Sequence, residues 1–113
     1  MVVGHCTYKM KKGQRAAFLS GLADIGYIAN VNKEEGVVYY TPYLPLDDED
    51  VVFVAECWES GDCLVKHMSS SNLKDLDILT ELYVEGLTLD FYDGDITRTC
   101  EYKTAAELTA GQR

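Results

Sequence analysis

Positive charge is scarce in this chain. Lys and Arg together number 10 against 19 Asp and Glu, and the formal net charge is −9. Nucleic acid and anionic membrane both call for clustered Lys and Arg, so neither partner is expected. Long apolar runs are missing as well. No stretch approaches the ~18 residues of a membrane-spanning helix, and the N-terminus lacks a signal-peptide pattern. A cytoplasmic location is the expectation. No glycine-rich phosphate loop follows a strand, because Gly94 in DGD reads as a turn, so no bound nucleotide is indicated. Cys6, Cys57, Cys63 and Cys100 stand far apart with no CxxC spacing. That argues against a structural zinc site, and in a reducing compartment such thiols behave as small apolar groups. The acidic run Asp47–Asp50 lacks the spaced ligands and central glycine of an EF-hand and reads as a solvated hairpin loop. Neither a metal nor a cofactor is expected.

What remains is an ordinary globular composition, 47% hydrophobic over 113 residues. That length is one domain with one modest core. Val2 to Met10 alternates as a strand, with Gly4, Cys6, Tyr8 and Met10 on one face and Val3, His5, Thr7 and Lys9 on the other. From Gln14 to about Asn30 the apolar spacing is helical, weakened by Gly21 and Gly26. Val37 to Tyr43 is a second strand, in which Val38 and Tyr40 oppose Val37, Tyr39 and Thr41. Pro42 assigns it to an edge or ends it.

The third strand carries the chemistry. In VVFVAECW, period two puts Val52, Val54, Glu56 and Trp58 on one face and Phe53, Ala55 and Cys57 on the other. A carboxylate and the chain's single Trp therefore share a face at the strand's end. Ser60, Gly61 and Asp62 break the strand and cap a helix, on which Leu64, His67 and Met68 fall on one stripe. Asn72 begins a further helical pattern. Val84 to Tyr92 reads as a fourth strand, Asp93–Asp95 as a turn, and Ile96 to Tyr102 as a short fifth strand. Thr104 caps a final small helix. The order is β-α-β-β-α-β, the α+β ferredoxin-like arrangement of an antiparallel sheet with helices on one face. The bare face keeps apolar groups such as Phe53, Ala55 and Cys57, which predicts a partner subunit. Residues 1–98 would form the domain, and 99–113 an extension that contacts the partner.

Four pieces together resemble the antibiotic biosynthesis monooxygenase (ABM) family of dimeric α+β barrels. They are KKGQRAAFLSGL after the first strand, NKEEGVVYYTPYL at the second, VVFVAECWES at the third, and CLVKHMSSSNLKDL in the second helical segment. They span residues 2 to 92, and their most specific part is E-x-W followed by L-x-x-H-x-x-S and L-K-x-L. The resemblance implies a homodimer whose two sheets join into a barrel, with a small-molecule pocket between sheet and helices in each subunit. It also implies a mixed range of functions: cofactor-free oxygenation of polycyclic phenols and quinols, haem degradation, and isomerisation of a phosphorylated signalling sugar. The haem-degrading branch uses an Asn near the position of Cys6 and a His ligand near that of Asp77. Only its Trp is kept, as Trp58, so haem degradation is not expected. His67 matches a more general family His.

If Glu56 and His67 face each other, they form a proton-transfer pair. Trp58, Tyr40 and Tyr8 would then wall a planar ligand, with Cys6 beside it on the first strand. Such a site suffices to deprotonate a phenol or quinol whose anion reacts with oxygen. Three classes stay open: a cofactor-independent monooxygenase, a non-catalytic dimeric ligand-binding or accessory protein, and an isomerase or lyase of a small polar metabolite. Cys57 or Cys63 as a nucleophile lacks an oxyanion donor, and His5 lacks a placed partner.

Overall fold

The computed structural model describes residues 1–110, with side chains through residue 107. Strands β1 (Val2–Met10), β2 (Val37–Tyr43), β3 (Val51–Trp58) and β4 (Val84–Asp93) make one sheet in the order β2-β3-β1-β4. All three pairings are antiparallel. Between β1 and β2 run α1 (Arg15–Ile25) and α2 (Tyr27–Val31); between β3 and β4 run α3 (Gly61–Met68) and α4 (Ser71–Tyr83). This is the ferredoxin-like α+β topology expected from the sequence, with each crossover helix divided in two. The first division falls at Gly26, whose left-handed backbone (φ 65°) ends α1.

The helices cover one face. Cys6, Tyr8 and Met10 of β1, with Val52, Val54 and Trp58 of β3, pack against Phe18 and Leu22 of α1 and Leu76 and Leu79 of α4. Gly21 is the point of closest approach of α1 to α4: a Cβ there would lie 2.6 Å from Leu79 Cδ2. The glycine that weakens the isolated helix thus lets two helices approach. On the bare face Phe53 and Ala55 stay half-buried, while Tyr43 and Tyr92 are more than half exposed.

Three expectations change. Strict alternation in β2 fails at Val38, where a register shift leaves Val37 opposite Trp58 and Tyr39 opposite Cys57. The extra residue returns Tyr40 to the helix-covered face, opposite Glu56. The acidic loop is not simply solvated. Asp48 accepts from Lys9 Nζ at 2.9 Å, and Asp50 accepts from the Gly13 backbone N–H at 2.9 Å. The fifth strand expected over Ile96–Tyr102 is absent; residues 94–102 carry no regular structure. Both sides of β1 are already occupied by β3 and β4. Gly94 donates to the Met1 carbonyl at 2.9 Å, and Asp95 pairs with the N-terminal ammonium at 3.0 Å. These ties carry the chain past the start of β1 instead of reversing it at Asp93–Asp95. The final helix, α5 (Ala105–Ala110), follows Thr104, whose hydroxyl accepts from the Glu107 N–H at 3.3 Å.

Candidate active site

Glu56 sits mid-sheet, opposite Gly4 on one side and Tyr40 on the other. Its side chain passes over Gly4, where a Cβ would come within 2.6 Å of Glu56 Cγ. The residue is only 3% exposed, so its carboxylate needs donors. Oε1 accepts from Trp58 Nε1 at 3.1 Å, and Oε2 accepts from the Cys6 thiol at 3.5 Å.

His67 is the one buried residue of α3. The helix is set by Ser60, whose hydroxyl caps the Cys63 N–H at 3.3 Å. The imidazole is fixed on three sides. Its Nδ1 lies 2.9 and 3.1 Å from the two carboxylate oxygens of Glu34. Trp58 stacks on it with centroids 4.6 Å apart, and the Tyr40 ring tilts against it at 5.5 Å. Its Nε2 has no hydrogen-bond partner among the described residues and is not sealed from solvent. Glu34 arrives from the loop between α2 and β2. It is held by Asn72 Nδ2 at 2.9 Å, while neighbouring Glu35 pairs with Lys66 at 3.0 Å. The loop then turns at Gly36, which has φ 76° and lies flat against Cys63.

Cys6, Tyr8, Tyr40, Glu56 and His67 converge on one hollow of about 30 Å³. Tyr27 adds a third phenol, its hydroxyl 3.0 Å from that of Tyr40. Met68, Leu73, Leu89 and Phe91 close the apolar side. Burial pushes the phenols of Tyr8, Tyr27 and Tyr40 well above the ordinary value, so all three stay protonated donors. Burial, followed by the charge of Glu56, does the same to the Cys6 thiol.

Of the six residues expected at the site, five line this hollow and Trp58 does not. Instead of walling a ligand, the fully buried indole backs the imidazole and anchors Glu56. Glu56 and His67 share the hollow without bonding to each other; the carboxylate partner of His67 is Glu34. Met68, expected on the packed stripe with His67, is 49% exposed. Cys63 takes its hydrogen bond from the Ser60 hydroxyl rather than meeting His67, and Cys57 lies beside Met1 on the bare face. His5 is also on that face, between the rings of Phe53 and Tyr92. Glu34 and Tyr27 were not foreseen. Glu34 lies in a polar loop 33 positions from His67, and no local periodicity marks such a residue. Among the described residues no cluster of three or more His, Cys, Asp or Glu is placed to hold a metal ion, and no helix is long and apolar enough to cross a membrane.

Known proteins share this arrangement of elements. A Deinococcus radiodurans protein assigned by name to the antibiotic biosynthesis monooxygenases superposes with a TM-score of 0.76 at 19% identity, covering 90% of this chain and 100% of its own. A similarly named Nitrosomonas europaea protein gives 0.74 at 15% identity, over 83% of this chain and 98% of that one. A conserved Methanosarcina mazei protein gives 0.74 at 19%, over 83% and 92%. At these identities the likeness speaks for the fold. No curated protein matches the chain. The sequence pattern of the family described as antibiotic biosynthesis monooxygenase matches residues 1–76, so the chain belongs to the antibiotic biosynthesis monooxygenase family.

Proposed function

We propose that the protein is a homodimeric, cofactor-independent monooxygenase acting on a small phenol or quinol, with His67 and Glu56 moving its protons. One observation carries the reading. An imidazole with one nitrogen unpartnered and a buried carboxylate border a single hollow walled by phenols. His67 Nε2 takes the phenolic proton, and Glu56 serves the second proton transfer. The electron-rich anion then reduces oxygen. A quinol and O₂ give a hydroxyquinone and water, so the substrate supplies all the electrons. The neutral phenols of Tyr27 and Tyr40 offer a donor to the developing oxyanion. The half-buried Phe53 and Ala55 on the bare face support a second copy as its cover. Four free cysteines accord with a reducing cytoplasm, and residues 99–113 stand as an extension outside the domain.

Volume favours a second reading. About 30 Å³ is a tenth of the ~300 Å³ at the low end of ordinary ligand pockets. A ring enters only if Met68 and Leu89, 49% and 39% exposed at its edge, swing outward. A chain that keeps them closed is an accessory protein without chemistry. Oxygen uptake across a panel of mono- and bicyclic quinols decides between the two. Turnover by the native protein that falls at least a hundredfold in His67→Gln, in line with a general base's ~10²–10⁴-fold share, supports the enzyme. Turnover unchanged in His67→Gln removes the catalytic role, and no uptake with any quinol favours the accessory reading.

A further inference from the structure

We propose that Glu34 is the positioning residue of this site: it fixes His67 in the Nδ1–H tautomer and so presents Nε2 to the hollow as a free lone pair. The inference rests on His67 being the base proposed above, and it concerns a residue on a different loop from either Glu56 or His67.

The argument is one of donor and acceptor arithmetic. Glu34 Oε2 already accepts from Asn72 Nδ2 at 2.9 Å. A carboxylate has only acceptor sites, so the contact between Nδ1 and the same carboxylate, at 2.9 and 3.1 Å, requires Nδ1 to donate. A neutral imidazole has one N–H. Once Nδ1 holds it, Nε2 is the basic nitrogen, and no described residue occupies it. Free imidazole side chains favour the opposite tautomer, so the protein must impose this one.

Steric contacts close off the alternatives. The Trp58 ring lies nearly parallel to the imidazole, at 28° and 4.6 Å, and the Tyr40 ring closes another side at 5.5 Å. A ring flip that exchanged Nδ1 for Cδ2 would take the donor away from Glu34 and leave that carboxylate, whose side chain is 14% exposed, short of one partner. Glu34 itself has little freedom. Asn72 holds it from α4, Glu35 ties the next residue to Lys66 on α3, and Gly36 lies against Cys63. The loop between α2 and β2 is thus strapped to both helices bordering the hollow. Dedicated second contacts of this kind are what hold a catalytic imidazole in one tautomer.

Tautomer state is read without any substrate, so the test is separable from turnover. Nitrogen-15 NMR of the His67 ring would be recorded at about pH 9, well above the ordinary imidazole pKa of ~6.5. In the native protein Nδ1 should show the shift of a protonated ring nitrogen and Nε2 that of an unprotonated one. Glu34→Ala should move the ring to a mixture dominated by Nε2–H. Glu34→Gln, which keeps an oxygen acceptor at that place, should hold the native tautomer. If Glu34→Ala does not fold, the native spectrum and that of Glu34→Gln still decide. Nε2–H in the native protein overturns the proposal, as does an Nδ1–H tautomer undisturbed in Glu34→Ala or lost in Glu34→Gln. With an active quinol in hand, Glu34→Ala should lower kcat at least tenfold with little change in KM. Normal tautomers combined with full turnover in His67→Gln would sink the base and leave the positioning contact standing.

Discussion

Replacing Gly36 with Ala tests the contact that aligns the Glu34 loop with α3. Two separable costs are expected. Gly36 has φ 76°, where a Cβ costs roughly 1–2 kcal/mol. The new Cβ would also lie 2.8 Å from Cys63 Cβ and closer still to its sulfur. Overpacking of that kind typically adds about 1–3 kcal/mol. The sum, about 2–5 kcal/mol, is a large share of the ~5–15 kcal/mol that holds a domain together. Gly13 supplies the control. Its φ is also 76°, but nothing lies within 4 Å of a Cβ built there. Gly13→Ala should therefore lose only the backbone part, about 1–2 kcal/mol. Urea unfolding followed by far-ultraviolet circular dichroism measures both. Adding Cys63→Ala to Gly36→Ala should recover part of the difference, because the sulfur goes while the Cβ stays. Equal losses at Gly36 and Gly13 would refute the reasoning, since the steric contact would then contribute nothing.

Three further outcomes follow from the buried groups. Tyr8, Tyr27 and Tyr40 have raised values in the folded protein against 10.0 for an exposed phenol, so they bind protons that the unfolded chain releases above pH 10. Stability is then full below that pH and falls above it, by up to ~1.4 kcal/mol per pH unit for each phenol; an unfolding free energy flat from pH 10 to 11 would contradict their burial. Trp58→Phe removes the Nε1–H donor from the buried Glu56 carboxylate and should destabilise by about 2–4 kcal/mol in urea, whereas a loss below ~1 kcal/mol would show that the carboxylate finds another donor. Thiol labelling of the native protein should modify exposed Cys100 first and leave Cys6, buried and strongly disfavoured as a thiolate, until unfolding; prompt reaction at Cys6 would mean that the hollow stands open.

Local pattern reached far into this fold. Period two delivers the ends of β1 and β2 and the common face of Glu56 and Trp58, because each of those strands is covered on one side. Helical spacing, with Ser60 as a cap, puts His67 inward. The misses share a cause, which is that non-local contacts decide them. Ile96–Tyr102 is strand-like in composition but has no ladder to join once the N-terminus holds Gly94 and Asp95. The bulge at Val38 is invisible in a run where every residue suits a strand. Glu34 reads as loop because its value lies wholly in where the fold carries it, beside His67 and Asn72. Trp58 was placed on the correct face but in the wrong role, since spacing cannot tell a side chain that borders a hollow from one standing behind its wall.

The stacked pair of Trp58 and His67 has a practical consequence. The chain holds one Trp, and that ring lies flat on the imidazole beside the hollow. Its intrinsic fluorescence is therefore a single-channel signal, and a guest that displaces or protonates the imidazole changes emission intensity. Compound libraries can be titrated against that glow alone, which turns the search for a natural ligand into an optical screen that requires no prior guess at the reaction.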